Sequence, residues 1–476
     1  MNSTTGKQLE SVSMSSSSDS GLLALPRLHS YPLTSEWDWP IGPLPKRRKL
    51  RWLRETLRRD TLLQNSLILM MTTVSNAVTG YVFWAIAARR LSANSIGVAT
   101  SLVGAAQLVA LVGTLGLGSW FVSTIGRMNT PQWSNAVTCS ISVAASATGL
   151  LGVIGIVALP RFSHRFASLE TPFRAGGFVV ACVVLAMANL TDDALIAEQA
   201  PRFHFGRNAL FGFSKLCVLG LLIHMGIRGE LPILVAWTVG GAFALVVAWK
   251  AWIPAVRSTF RPNLRGSVRL STLLQQSGQH QMIDVAGRLP LYLLPAVVLV
   301  RATGPDAATL SLTWMIASIF FLVSPAVSDA LIAKGGLGSL SDSLRRSAVT
   351  VGLLLGVGVP IVCTFPETLL HLFGGSVAAK GSKLLVVLAV SSFPDAVTNL
   401  WIAKRRIQKE LAAPIAVNWL MAAIVLAGSW LFVPRYGIVS AGFAWLAAQT
   451  VGALFVAFDS FAEHRARRLA VTERNG

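Results

Sequence analysis

Ionisable side chains inside apolar runs are costly, about 2.5–3.5 kcal/mol at a helix centre, so they usually face protein or water and mark function. The richest such stretch reads Gln275-Gln276-Ser277-Gly278-Gln279-His280-Gln281-Met282-Ile283-Asp284-Val285-Ala286-Gly287-Arg288-Leu289-Pro290 and runs on through Pro295. In a helix His280, Asp284 and Arg288 fall at i, i+4 and i+8, one stripe with Gln281 beside it. Two readings of the stripe stand open. An internal Asp284–Arg288 ion pair would serve folding alone. A cationic wall would offer Arg288 as a bidentate donor to an anionic headgroup such as a diphosphate, with Asp284 holding the guanidinium until it arrives. Two prolines five residues apart predict a bent or discontinuous helix, as at many transport sites.

Other polar side chains recur at helical spacing. Asn65, Thr72, Asn76 and Thr79 form one stripe, and Thr100, Gly104, Gln107, Thr114 and Gly118 form a second. Small and hydroxyl residues serve tight helix contacts, so packing explains each stripe taken alone. Asn76 and Gln107 differ, because mid-span amides can hydrogen-bond sugar hydroxyls. Thr72, Asn76 and Gln107 therefore join His280, Gln281, Asp284 and Arg288 as candidate substrate contacts. Asp284, Asp193 and Asp395 are the candidates for ion coupling, with Asp329 beside them, and both Asp193 and Asp329 sit near span ends where ordinary solvation accounts for them. Cys139, Cys182, Cys217 and Cys363 show no CxxC spacing and read as small core residues, so neither a metal site nor a disulfide scaffold is expected.

The elements that must position these residues follow from composition. Of 476 residues, 53% are hydrophobic and 13% charged, against about a quarter charged in soluble domains. Mean hydropathy is +0.59. Apolar runs fall near 65–88, 96–118, 136–158, 175–197, 207–227, 231–253, 278–300, 308–332, 347–365, 384–403, 413–433 and 437–458. Each is long enough to cross a hydrocarbon core of about 30 Å. The reading is an all-α integral membrane protein of twelve transmembrane helices. With the N-terminus inside, 29 Lys and Arg lie on the cytoplasmic side and 10 outside, which places both termini in the cytoplasm of a multi-pass plasma-membrane protein. The net charge of +20 is thus topological, and no nucleic acid is expected as a partner.

Residues 1–45, rich in Ser and Pro, read as a disordered cytoplasmic tail, and 46–64 as a basic juxtamembrane segment beginning Lys46-Arg47-Arg48-Lys49. A basic linker, 254–277, divides six spans (65–253) from six (278–458), and 459–476 form a basic cytoplasmic tail. An even number of spans in each half implies parallel repeats. Asp193 is followed at +9 and +14 by Arg202 and Arg207, and Asp395 by Lys404 and Lys409, as a trace of that repeat. Extramembrane loops are too short to house the paired carboxylates of a glycosyltransferase, polymerase or ligase. No GxxxxGK[ST] occurs, so no nucleotide is used directly and no cofactor is expected.

Between the first two spans the chain reads Ala87-Ala88-Arg89-Arg90-Leu91-Ser92-Ala93-Asn94-Ser95-Ile96-Gly97, followed by Leu115-Gly116-Leu117-Gly118. This resembles the A-R-x-L-[GS]-x-x-x-[FI]-G pattern at the second helix of Wzx-type polysaccharide and O-antigen flippases, in the multidrug/oligosaccharidyl-lipid/polysaccharide (MOP) exporter superfamily. Its physics is plain: Arg89 and Arg90 meet the negative end of the first helix, Ser92 caps the second, and Gly97 allows close approach. The resemblance implies two six-helix lobes around a central cavity lined by spans 1, 2, 7 and 8. It also implies non-enzymatic export, by alternating access, of a polyprenyl-diphosphate-linked oligosaccharide for cell-surface polysaccharide biosynthesis. Its partners would be the lipid-linked glycan, membrane lipids, and the glycosyltransferases or polymerase of the same pathway. The alternative is a multidrug or organic-cation antiporter of the same superfamily, whose cavity carboxylates would dominate.

Overall fold

The computed structural model describes residues 61–125, 128–258, 260–264, 270–333 and 340–475. The serine-rich tail and nearly all of the basic juxtamembrane segment lie outside them, as do the Asp329 and His280 side chains. The long helices are α1 Thr61–Arg90, α2 Ala93–Gly113, α3 Thr130–Phe162, α4 Pro172–Ala197, α5 Pro201–His224 and α6 Leu231–Val247. They continue as α7 Leu270–Arg301, α8 Gly304–Ala333, α9 Leu340–Thr364, α10 Gly375–Ile407, α11 Ala412–Tyr436 and α12 Val439–Asn475. Among the described residues, eleven helices meet the length and apolarity needed to cross a membrane; α8, at 30 residues, is the long helix outside that set.

Their surfaces fit a bilayer. Leu150, Val153, Ile154 and Val157 on α3, and Leu353, Leu354, Val357 and Ile361 on α9, are all exposed. Such stripes would aggregate in water, whereas helices in lipid satisfy their backbone internally and can show apolar faces outward. The protein is therefore a multi-pass, all-α membrane protein. Of the four cysteines expected in the core only Cys182 is buried; Cys139 and Cys363 are half-buried and Cys217 is exposed.

Helix pairing repeats along the chain. In the first half α1 packs on α5, α5 on α6, α6 on α4, and α4 on both α2 and α3. Six helices later α7 packs on α11, α11 on α12, α12 on α10, and α10 on both α8 and α9. The sequence trace offered for this repeat does not survive: Arg202 and Arg207 lie on α5, whereas Lys404 is still within α10 and Lys409 follows its end. The repeat lives in packing, not in those charges.

Between the halves the seams differ. α2 lies along both α7 and α8, while α1 barely touches α8. Glycine makes the first contact possible. Gly97 meets the Gly304 backbone and Gly104 the Tyr292 carbonyl, so a side chain at either would collide with main chain. As expected, Ser92 caps α2, its hydroxyl accepting from the Ser95 amide at 3.1 Å. α2 is accordingly the most buried of the candidate spans, with 78% of its apolar window covered, against 11% for α1.

α7 runs as one helix through Pro290 and Pro295 and is not broken into separate pieces. The basic segment 459–476 continues α12 as helix to Asn475. Its extension is braced by α10: Arg405 meets Asp459 at 2.5 Å and Glu463 at 2.7 Å, Lys404 meets Glu463 at 2.7 Å, and the Trp401 indole donates to Asp459 at 2.8 Å.

Candidate functional site

Three connected recesses lie between the halves. One, about 390 Å³, is lined by Trp84, Thr100, Gln107, Tyr292, Trp314 and Ser318 among others. A second, about 760 Å³, shares Trp84 and Gln107 with it and reaches Asn76 and Val78 of α1 and Ile319 of α8. The third, about 680 Å³, shares Asn189 and Asp192 with the second and holds Asp193, Gln281, Asp284, Arg288 and Arg406. Helix direction places this charged recess toward the end of the bundle where α1 begins at Thr61.

At the opposite end, where α1 finishes at Arg90, the halves touch. There Gly97 packs on Gly304, Tyr81 meets Phe373 edge-on at 5.1 Å, and Phe162 lies 5.6 Å from Trp430. Arg301 sits 4.6 Å over Trp430 and donates from Nε to its carbonyl at 3.1 Å. Near the Thr61 end a single polar tie crosses between the halves among the described hydrogen bonds, Gln281 Nε2 donating to the Leu111 carbonyl at 2.6 Å.

The expected residues divide. Arg288, Asp284, Gln281 and Asp193 gather in the charged recess, and Asn76 and Gln107 line the recesses beyond it. Thr72 does not join them. It is 2% exposed and its hydroxyl donates to the Ile68 carbonyl of its own helix, while its neighbour Thr73 lines the cavity. Asp395 is buried in the second half, accepting from Asn399 Nδ2 at 2.9 Å, and lines none of the three recesses.

Charge pairing differs from the simplest reading of the stripe. Asp284 is bound by Arg406 of α10 at 2.8 Å, not by Arg288 one turn along. Among the described residues Arg288 has no carboxylate within 4 Å, and its side chain is exposed to the cavity. Asp192 is also compensated: Arg207 holds it in a fork at 2.6 and 2.5 Å, and Asn208 Nδ2 donates to it at 3.2 Å. Asn76 Nδ2 donates to Asn208 Oδ1 at 3.1 Å, extending that network to α1. Asp193 stands beside it with no cation within 4 Å among the described residues. The recess therefore has two carboxylates held by arginines, while Arg288, hydrogen-bonded to Tyr292, and Asp193 form no ion pair within 4 Å among the described residues.

One group has no place in the expected set. Lys215, 6% exposed in the middle of α5, points its Nζ at three rings: Phe211 at 4.8 Å, Trp237 at 5.0 Å and Phe83 at 5.5 Å. No carboxylate lies within 4 Å of it among the described residues. Desolvated cation–π contacts reach about 2 kcal/mol each, so three offset an insertion cost of about 2.5–3.5 kcal/mol. The i, i+4 spacing of Phe211 and Lys215 was the available signal, but the other two rings come from α1 and α6.

No protein-family profile and no curated protein sequence matches the chain. Solved structures do. A multidrug-resistance MATE-family transporter of the MOP superfamily, in an inward-facing conformation, aligns over 86% of this chain and 99% of its own with a TM-score of 0.67 at 14% identity. The lipid II flippase MurJ, inward closed, aligns over 83% and 87% with a TM-score of 0.68 at 12% identity. A MOP-superfamily transporter from Pyrococcus furiosus aligns over 87% and 96% at 0.63 and 14%. At these identities the likeness is one of fold alone: the described long helices are arranged as in solved structures of MOP-superfamily transporters.

Proposed function

We propose that this protein is a non-enzymatic, alternating-access transporter that moves a polyprenyl-diphosphate-linked oligosaccharide across the plasma membrane. In this reading α1–α6 and α7–α12 are two lobes, the Thr61 end is cytoplasmic by its charge, and the described state faces inward. The observation that carries it is the seam between α1 and α8. Val78 and Val82 on α1 and Ile319 on α8 line the same recess as Asn76 and Lys215, yet are 56%, 41% and 54% exposed. In this reading the mixed polar and apolar recess opens sideways between α1 and α8, so that a lipid tail stays in the bilayer while its headgroup enters.

The lining suits such a headgroup. Arg288 offers a fork to a diphosphate. Trp84, Trp314 and Tyr292 present apolar faces to sugar rings, with Gln107, Thr100 and Ser318 to meet hydroxyls. Asp193, Asp284, Gln281 and Asn76 complete the proposed contact set, and Asp193 is the carboxylate best placed for ion coupling because Asp192 and Asp284 already hold arginines. The Wzx-type sequence resemblance points the same way.

A second reading, a multidrug or organic-cation antiporter, is favoured by the likeness to a multidrug MATE transporter. It needs a dominant free carboxylate, and in the charged recess Asp193 is opposed by Arg288. Purified protein in liposomes separates the two. The first reading expects a fluorescent polyprenyl-diphosphate oligosaccharide to become accessible on the opposite leaflet, with no accumulation of ethidium under a proton or sodium gradient. Ethidium accumulation with an immobile glycan lipid would establish the second.

A further inference from the structure

The ring geometry around Lys215 is that of a site for an organic ammonium ion. Three aromatic faces from three helices, Phe83 of α1, Phe211 of α5 and Trp237 of α6, converge on one positive charge, the arrangement that recognises quaternary ammonium ligands. Phe211 and Trp237 stand edge to face at 5.7 Å, and Phe83 is fully buried, so the walls are fixed before any ligand arrives. The cage also borders the substrate recess, because Phe211, Lys215 and Trp237 all line it. Its occupant is part of the chain. Packing of the Lys215 backbone against Gly240 of α6 fixes the root of the side chain, so the ammonium is held where it is.

We infer that Lys215 is a built-in plug, a tethered ammonium that fills an organic-cation site in the cavity wall and so excludes quaternary-ammonium compounds from the transport path. A tethered cation acts at a high effective concentration, so a free ammonium of similar affinity cannot displace it. The same charge leaves the recess attractive to anions. The residue is thus a specificity determinant rather than a substrate contact. The inference rests on reading this cavity as the substrate path, but binding at equilibrium needs no transport, so its test stands apart from whether a glycan lipid is flipped.

The test uses the full chain in lipid nanodiscs with radiolabelled tetramethylammonium. Lys215→Ala and Lys215→Ser should each bind it at least tenfold more tightly than wild type or Lys215→Arg, whose guanidinium keeps the cage filled. Adding Phe211→Ala should remove at least tenfold of the gain. If vacating the cage weakens the fold, tetramethylammonium should raise the melting temperature of Lys215→Ala and leave that of wild type unmoved. The plug is refuted by wild type binding as tightly as the variants, by neither variant binding nor being stabilised, or by the Lys215→Ala/Phe211→Ala double variant retaining the site.

Discussion

Removing Arg288 is the sharpest perturbation of the proposed headgroup site, because the structure separates its role from that of its neighbours. Arg288 faces the cavity with no carboxylate within 4 Å among the described residues, so truncation breaks no ion pair of the resting protein. Hydrogen bonds to charged groups contribute about 1.5–3 kcal/mol each. A guanidinium–diphosphate fork worth about 3 kcal/mol in all corresponds to roughly a hundredfold in apparent affinity. Arg288→Lys keeps the charge and loses the fork, for a drop of about tenfold. The assay is the concentration dependence of glycan-lipid flipping in liposomes, alongside protein yield and melting temperature. A double-mutant cycle then tests the pairing. Asp284→Ala and Arg406→Ala should couple, by up to about 1 kcal/mol for a partly exposed pair 2.8 Å apart. Asp284→Ala and Arg288→Ala should be close to additive. Unchanged flipping in Arg288→Ala, or recovery of activity in the Asp284→Ala/Arg288→Ala double variant, would refute the reasoning and make the stripe a folding pair.

Three more outcomes follow from the same geometry. Reporter fusions after Arg202, Arg261, Lys404 and Arg465 should report cytoplasm, and those after Arg174, Arg228 and Lys380 the exterior; consistent inversion overturns the assigned orientation. Gly104→Val places a side chain on the Tyr292 carbonyl and should destabilise the α2–α7 seam by about 1–3 kcal/mol, seen as a lower melting temperature, whereas Gly352→Ala, in open space on α9, should change little. An outward-moving diphosphate is driven by an inside-negative potential at about 2.3 kcal/mol per charge per 100 mV. Flipping should therefore proceed without ATP and respond to an imposed potential, and strict ATP dependence in the purified system would count against it.

The rough placement of the long apolar helices was legible because apolar runs of about twenty residues have few other uses, although eleven rather than twelve qualify as spans among the described residues. Their ends were not, since helix termini are set by partners. α12 runs on past Phe458 because Asp459 and Glu463 find Arg405 and Lys404 on α10, a tertiary match invisible in a stretch that reads only as basic. Short helices such as Leu117–Thr124, Ile253–Val256 and Pro366–Leu370 were likewise merged into spans or loops. The two prolines of α7 leave it a single helix. Lost hydrogen bonds within a membrane helix can be tolerated where neighbouring helices pack closely, and α2 and α11 cover α7 on two sides.

Several residues that line the recesses were legible singly, but their pairing was not. Arg288, Asp284, Gln281, Asn76 and Gln107 were found because a polar side chain mid-span needs a reason, and all five line the recesses. Spacing along one helix suggested Asp284 with Arg288, but i, i+4 proximity only permits a contact. Arg406, 122 positions away on α10, takes the carboxylate. The same limit hid the Asp192–Arg207 fork, which joins α4 to α5, and the three-helix cage around Lys215. Which charges are neutralised decides what a cavity attracts, and neutralisation is a property of helix packing. With Asp192 and Asp284 each holding an arginine, the charges of the recess outside an ion pair, among the described residues, reduce to Asp193 and Arg288, with Lys215 held by its rings in the adjoining wall. On the proposed reading of this recess as the substrate site, substitution of Arg288 and Lys215, and not a count of acids and bases, is the test that separates a diphosphate headgroup from an organic cation.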